Sequence, residues 1–175
     1  MVSDEDLMNI LAQINQWISN CDTKSSILLT LIGIVVGVIF SNGYAFKLIS
    51  IYTQSPALTW KLIIYSRALL CSLILILSGI RHIILSISPN FKITPTNKDS
   101  LIFYASIASK TLEEYEVEIK SPDYEFDKDL ISQIHINAEI CTKKFVNFKT
   151  GFEEVILGFI IITLLIIVRY TVYVI

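Results

Sequence analysis

The sequence is short of charged residues, and the shortage is concentrated in three blocks. Only 17% of the 175 residues are Asp, Glu, Lys or Arg, whereas a soluble domain carries about a quarter. The blocks at residues 25–46, 58–88 and 155–175 hold only Lys61, Arg67, Arg81 and Arg169. Each is long enough for a helix to cross a hydrocarbon core of about 30 Å. The sequence therefore predicts an all-α membrane protein with three transmembrane helices.

The chain also lacks the basic start and the small-residue cleavage site of a signal peptide. Its first residues are acidic at Asp4, Glu5 and Asp6, and the apolar run begins only near residue 25. The first span is therefore expected to remain in the protein. A net charge of −2 gives no basic field that would attract nucleic acid, so no DNA binding is expected.

Patterns of catalytic and metal-binding residues are missing as well. The three cysteines, at positions 21, 71 and 141, are far apart, and nothing resembles a disulfide framework or a zinc site. No Gly-rich phosphate loop, nucleophile elbow or pair of catalytic carboxylates occurs. His82 and His135 have no carboxylate or cysteine set at ligand spacing. We expect no enzyme activity, no cofactor and no metal site.

Basic residues predict the orientation of the spans. Between the first two spans the chain carries Lys47 alone, whereas residues 89–154 carry eight lysines. Cytoplasmic segments carry the excess of Lys and Arg, which places 89–154 and the N-terminus in the cytoplasm and the C-terminus outside. The predicted division is a cytoplasmic amphipathic helix continuous with span one (1–24), transmembrane helix 1 (25–46), an extracytoplasmic loop (47–57), transmembrane helix 2 (58–88), a cytoplasmic helical domain (89–154) and transmembrane helix 3 (155–175).

Two apolar seams with alternating steps of three and four residues predict long helices that extend from the cytoplasm into the membrane. The first seam contains Leu7, Leu11, Ile14, Ile18, Cys21, Ser25, Leu28, Ile32 and Val35, and the second contains Leu130, Ile134, Asn137, Cys141, Phe145, Phe148, Phe152 and Val155. We predict one helix over residues 4–41, another from about 127 into the third span, and a shorter one over 98–120. Together they form a small cytoplasmic helical bundle. Its core is marginal for one chain, so oligomerisation is expected, although the seams could instead hold a single chain together.

Several polar residues stand at the predicted membrane boundaries. Asp22 and Lys24 are two positions apart and face different sides of a helix, so each is expected to have a partner elsewhere, or both belong to an interfacial charge cluster. Both are candidate gating residues. The candidate pore lining is Ser25, Ser26 and Thr30 of the first span, or Arg67 of the second. Arg67 either extends to the headgroups or faces a helix bundle or an aqueous path.

A second group of polar residues forms a predicted basic collar just inside the membrane. Its members are Arg81, His82, Lys143, Lys144 and Lys149. Such a collar suits phospholipid headgroups or a phosphate-bearing ligand. The same five residues are therefore the candidate nucleotide-binding site.

Three stretches of the chain resemble a known family. They are Asp22-Thr-Lys-Ser-Ser26 at the start of span one, Phe103-Tyr-Ala-Ser-Ile107, and Asp129-Leu-Ile-Ser-Gln-Ile-His-Ile-Asn137 leading to Lys143 and Lys144. With them, the chain is similar to the Pycsar-effector type of transmembrane protein, found in bacterial antiphage systems that signal with nucleotides. The resemblance covers about residues 5–168.

The resemblance implies an effector in the bacterial inner (plasma) membrane that permeabilises or depolarises the infected cell. It further implies a nucleotide second messenger, made by a nucleotidyltransferase or cyclase encoded nearby. The expected form is a homo-oligomer, with a tetramer favoured, that makes an ion channel or pore in the lipid bilayer. The alternative is a non-conducting membrane scaffold or regulatory partner of a soluble protein.

Overall fold

The described part of the chain is helical, with short connections. A computed structural model describes residues 3–41, 43, 46, 50, 60–88 and 100–173. Its main helices are α1 (Asp4–Ser41), α2 (Trp60–Ile87), α3 (Tyr104–Ala108), α4 (Leu112–Ile119) and α5 (Phe126–Tyr173). The predicted loop at 47–57 lies outside the described residues, apart from Ser50.

Three of these helices, α1, α2 and α5, are long and apolar enough to cross a membrane. The prediction of three such helices is therefore confirmed. The bounds of α1 are those predicted, and α5 begins one residue before its predicted start. Many of the exposed side chains on the three helices are large and apolar, such as Ile34, Leu77 and Leu164. Such surfaces suit lipid rather than water.

The prediction of one helix over residues 98–120 is wrong for the part that the structure describes. The chain instead forms α3 and α4, separated by the break at 109–111. Thr111 begins α4 with a capping box: its hydroxyl accepts a hydrogen bond from the Glu114 amide (3.2 Å), and the Glu114 carboxylate accepts one from the Thr111 amide (2.8 Å). Two amides that a helix end leaves without partners are thus satisfied locally, which favours a fresh start over a continuous helix.

The chain divides into two compact units. Unit 1 comprises Met1–Cys21 and Ser88–Phe145, and unit 2 comprises Asp22–Ile87 and Val146–Ile175. Residues 146–154 belong to unit 2. The predicted membrane and cytoplasmic boundaries stay predictions.

Unit 2 is held together by close packing of α2 against α5. A Cβ placed on Gly79 would lie 2.8 Å from the carbonyl oxygen of Gly151, and one on Gly158 would lie 3.0 Å from that of Ser72. Small residues at such contacts let the main chains of membrane helices approach each other. The apolar core beside them contains Ile32, Ile83 and Val155.

The predicted seam of α5 is shifted by one residue at two places. In unit 2, Gly151 is buried and Phe152 is exposed; in unit 1, Lys144 is buried and Phe145 is exposed. A phenylalanine gains nothing by leaving lipid for another helix, whereas glycine permits a close approach. This explains the exchange at 151 and 152.

The predicted seam of α1 is confirmed as far as Ile32, since its members up to that point are buried or partly buried. Val35 departs from it and is exposed, while Val36 packs against the core of unit 2. An α-helix has 3.6 residues per turn, so a face defined by steps of 3.5 drifts around a straight helix. The drift moves the inward position from Val35 to Val36.

Candidate functional site

A buried hydroxyl pair links α1 to α2 in unit 2. The Oγ atoms of Ser25 and Ser86 are 2.7 Å apart, and both residues are fully buried. The Ser86 hydroxyl also donates to the carbonyl of Ile83 at 2.7 Å. Buried hydroxyls need such partners because unpaired polar groups are costly in an apolar interior. Ser86 was not among the residues singled out from the sequence.

One turn earlier on α2, an acid–base pair links α2 to α5. The Nδ1 atom of His82 donates to Oε2 of Glu154 at 2.9 Å, and each side chain is 24% exposed. Sequence analysis placed His82 in the basic collar and overlooked Glu154. The signal for Glu154 was its position directly before the third apolar run, where a carboxylate at a membrane boundary is expected to have a partner.

We call Ser25, His82, Ser86 and Glu154 the polar layer. Its two contacts join α1 to α2 and α2 to α5, while most of the surrounding side chains are hydrocarbon. Directed polar contacts of this kind fix one helix along and around another more specifically than apolar packing does. The polar layer therefore sets the register of the three membrane helices.

The predicted pore-lining residues have different surroundings. Ser25 is buried in the polar layer, whereas Ser26, Thr30 and Arg67 are exposed. The hydroxyls of Ser26 and Thr30 donate to the carbonyls of Asp22 and Ser26, each at 2.9 Å. Their role in a pore stays a prediction.

Ser26 and Thr30 belong to a longer exposed face of α1, which we call the small-residue stripe. Its members in unit 2 are Thr23, Ser26, Thr30, Gly33, Gly37 and Ser41. A Cβ placed on Gly33 or Gly37 would meet no atom of the described chain within 4 Å. At these two glycines the stripe is thus uncovered by the parts of the chain that the structure describes.

Asp22 and Lys24 lie on α1 close to the start of unit 2. Asp22 is partly buried, and Lys24 is exposed. This difference fits the expectation that the two side chains point to different sides of one helix. Their predicted part in gating remains a prediction.

Two members of the predicted basic collar stand beside carboxylates on α5. Lys143 Nζ lies 3.9 Å from Glu139, and Lys149 Nζ lies 3.9 Å from Glu153. All four side chains are exposed, and surface pairs of this kind are worth about 0–1 kcal/mol. The two ammonium groups therefore remain open to competition from a stronger anion.

The other collar residues differ from these two. Arg81 is exposed in unit 2, and His82 is engaged by Glu154 in the same unit. Lys144 is buried in unit 1 and is not presented on the surface. Nucleotide binding by these five residues stays a prediction.

An apolar cavity lies among the helices of unit 2. Its volume is about 430 Å³, and its lining includes Val36, Phe40, Leu73, Phe159 and Ile162. The described side chains that line it carry no polar group, whereas a nucleotide needs donors and charge for its phosphates. This cavity is therefore not suited to nucleotide binding.

In unit 1 the side chain of Asp129, which sequence analysis noted only as the start of a family motif, accepts two hydrogen bonds. Its Oδ2 atom accepts from the Leu101 amide at 2.8 Å and from the Tyr124 hydroxyl at 2.9 Å. Burial, and then the bond to Asp129, raise the pKa of Tyr124 well above its usual value. One carboxylate thus ties two connecting segments to the first turn of α5.

The rest of that motif also serves the packing of unit 1. Leu130 and Gln133 are buried, and the Asn137 amide donates to the side-chain oxygen of Asn15 on α1 at 3.1 Å. Among the described residues, no group of three or more His, Cys, Asp or Glu side chains is placed to hold a metal ion. The motif therefore contributes to the packing of unit 1 in this chain.

The helices and polar contacts define a class: an all-helical protein with three membrane-length helices, joined by a polar layer, and a second compact unit. A family model for the Pycsar effector protein domain matches residues 6–172. The chain is also 31% identical over 181 residues to the Pycsar effector protein GmPycTM of Gulbenkiania mobilis, with 92% of this chain and 90% of the relative covered. It belongs to the Pycsar effector family and is a transmembrane effector of antiphage defence. No solved structure matches it.

Proposed function

We propose that this chain assembles with copies of itself into an ion channel or pore that depolarises the bacterial inner membrane. A nucleotide made by a partner nucleotidyltransferase or cyclase would control its opening, in keeping with its family. The observation that carries the channel is the small-residue stripe on the exposed side of α1. Assembly through that stripe would end the life or growth of the infected cell and so limit the phage.

The stripe differs from an ordinary lipid-facing surface. A neighbouring exposed face of α1 carries the large side chains of Ile27, Leu31, Ile34 and Val38. Lipid contact accounts for that face, but it gives no reason for a run of glycine and hydroxyl residues beside it. Small residues let helices of separate chains approach closely in a membrane. The stripe is therefore the face on which copies of α1 would meet around a pore.

The hydroxyls of the stripe have a further property. Because Ser26 and Thr30 donate their protons to carbonyls of their own helix, their outward-facing lone pairs are left as acceptors. A ring of acceptor oxygens favours cations over anions. The channel is accordingly proposed to prefer cations.

Arg67 supports assembly from a second helix. It lies on α2, inside the membrane-length segment Leu62–Ile87, and its side chain is exposed. Charged residues within a span are rare and face a bundle interior, a water-filled path or the headgroups. In a homo-oligomer, Arg67 would stand at the headgroups beside the mouth, outside the ring of stripe oxygens.

Control by a nucleotide is assigned to the exposed collar residues of unit 2, Arg81 and Lys149. The carboxylate of Glu153, 3.9 Å from Lys149, forms a weak surface pair with it. A phosphate carries more charge and more acceptor oxygens, so it would displace that carboxylate. Substituting Arg81 and Lys149 by glutamine should abolish the response to the nucleotide while leaving the protein in the membrane.

The test is membrane potential, read with a voltage-sensitive dye in bacteria that express the chain with and without its cyclase. Thr30→Val removes one stripe hydroxyl at almost constant size. Thr163→Val is the matched control, because Thr163 on α5 is also exposed and donates to a carbonyl four residues earlier, at 2.8 Å. Depolarisation that depends on the cyclase and is weakened by Thr30→Val alone would support the channel.

A non-conducting scaffold is the second candidate. It is favoured by α4, on which Leu112 and Val117 are 75% and 72% exposed, since exposed apolar side chains can mark contact sites for proteins. Absence of depolarisation in both conditions, with the protein confirmed in the membrane, would refute the channel. Recovery of a stable complex with a soluble protein, lost on Leu112→Ser, would then favour the scaffold.

A further inference from the structure

Only two histidines occur in the chain, and their surroundings differ. His82 is three-quarters buried and bonded at 2.9 Å to a carboxylate on another helix. His135 is 75% exposed and lies 3.9 Å from Glu139 on its own helix. Histidine is the side chain whose charge changes between about pH 5 and 8. The contact between α2 and α5 thus contains a group that responds to the pH of a cell.

We propose that His82 and Glu154 form a proton-sensitive clamp between α2 and α5. With the imidazole protonated, the contact is an ion pair and a charge-assisted hydrogen bond, which are stronger than a neutral bond. Loss of that proton leaves only a hydrogen bond from a neutral ring. The clamp is therefore tight at the acid end of the physiological range and weaker at the alkaline end.

Few other charges stand near the pair along the three helices. Arg81 precedes His82 on α2 and is exposed. On α5, Lys149 and Glu153 form a surface pair with each other. On α1, Asp22 and Lys24 lie just before Ser25, and the stretch from Ser25 to Ser41 has no ionisable side chain. In the described part of unit 2, Glu154 is the only carboxylate within 4 Å of a nitrogen of His82. The response to pH can thus be assigned to a single contact.

The clamp also lies beside a contact at which α2 and α5 cannot come closer together. Gly79 and Gly151, each three positions before a member of the pair, bring the two main chains together with no spare space. A weaker clamp cannot be compensated by closer approach of the helices. Its effect is therefore to let α2 and α5 separate, which makes the pair a regulator of membrane-helix packing.

The experiment is a double-mutant cycle on the full chain in nanodiscs of a neutral phospholipid, at pH 5.5 and pH 8. The variants are His82→Gln, Glu154→Gln and the two combined, and the readout is the midpoint of thermal unfolding. We expect His82→Gln to lower the midpoint by about 2–4 °C at pH 5.5 and to have little effect at pH 8. His135→Gln, the matched control, should leave the midpoint and its pH dependence unchanged.

A further variant tests whether a positive charge at position 82 stabilises the contact, and its gain in stability at pH 8 could not come from misfolding. His82→Lys carries a fixed positive charge and should keep at pH 8 the stability that the natural chain has at pH 5.5. Equal coupling between positions 82 and 154 at both pH values, or none at either, would overturn the proposal. So would a pH dependence that His135→Gln removes. Since the readout is stability, failure of the channel proposal would not affect this result.

Discussion

Gly79 and Gly151 face each other across α2 and α5 so closely that neither could carry a side chain. A Cβ on Gly79 would lie 2.8 Å from the carbonyl oxygen of Gly151, and a Cβ on Gly151 would lie 2.7 Å from that of Gly79. Both distances are shorter than a van der Waals contact, and the atoms involved belong to the main chain. The two helices would have to move apart to admit any other residue.

Gly151→Leu should therefore destabilise the packing of unit 2. Overpacking a close contact costs about 1–3 kcal/mol, and more where the backbone must move. The measurement is the midpoint of unfolding in detergent, supported by protease protection of the membrane helices. Gly33→Leu is the control, because its new side chain would meet no atom of the described chain. Equal loss of stability in both variants would contradict the assignment of the contact.

The same Gly33→Leu variant tests assembly. It should fold and insert normally, yet disturb contact between copies of α1 across the small-residue stripe, because a leucine keeps the helices apart. Chemical cross-linking in membranes would report the oligomer, and the dye assay would report conduction. Ile34→Ala, on the neighbouring lipid-facing surface, should leave both unchanged. If Gly33→Leu gave the same cross-linked oligomers as the natural chain, the small-residue stripe would not be the contact between copies.

Asp129→Asn should weaken unit 1. The natural carboxylate accepts from Leu101 and Tyr124, and hydrogen bonds to a charged group contribute about 1.5–3 kcal/mol each. An amide can replace one acceptor but not the charge. Asp123→Asn, at an exposed position in the same connection, is the matched control. Comparable unfolding midpoints for the two variants would count against the role given to Asp129.

Acid should fray the start of α4. Bonds from the amide and then the hydroxyl of Thr111 hold the pKa of Glu114 below its usual value, with Lys110 adding to the effect. The ionised Glu114 carboxylate therefore stabilises the helix fully at pH values above the ordinary pKa of glutamate. This stabilisation is lost as the pH falls through the lowered pKa of Glu114. Helicity followed by circular dichroism from pH 7 to pH 3 should decline less in Thr111→Ala, which lacks the capping hydroxyl from the outset. Identical acid profiles would rule out the cap as the cause.

Asp22→Asn and Lys24→Gln should each abolish toxicity without preventing insertion. Asp22 is partly buried and Lys24 exposed at the start of unit 2, where a change of charge alters the field at the entrance of the membrane segment. Survival after induction measures toxicity, and membrane fractionation measures insertion. Lys128→Gln, a change at an exposed lysine of unit 1, serves as the control. Wild-type toxicity in both substitutions would end the proposed gating role.

The long helices could be predicted from the sequence because their evidence is local and repeated. Each turn of α1 from Leu7 to Ile32 carries an inward residue of the expected kind, and the long uncharged run that begins at Ser25 indicates a spanning helix. By contrast, the choice of Gly151 over Phe152 depends on a partner helix that comes from a distant part of the chain. Hydrophobicity cannot reveal that preference where the alternative to burial is lipid.

For the same reason, only two of the four residues of the polar layer could be singled out from the sequence. Ser25 and His82 stood out as polar residues at membrane boundaries, yet Ser86 and Glu154 are their partners from 61 and 72 positions away. Spacing along one helix cannot give such pairings. The single helix predicted over residues 98–120 was wrong for a different reason. The capping pattern of Thr111 and Glu114 is present in the sequence and indicates a new helix start.

The serine pair also provides a depth scale. Ser25 and Ser86 meet at one level, near the predicted cytoplasmic edge of the spans. Arg67 precedes Ser86 by 19 positions on one unbroken helix, about 28 Å at 1.5 Å per residue. That length is close to the roughly 30 Å of a bilayer core, so with the predicted boundaries the guanidinium would lie near the far headgroups. Opening that drew Arg67 inward would carry its charge through the membrane field, and conduction would then depend on voltage.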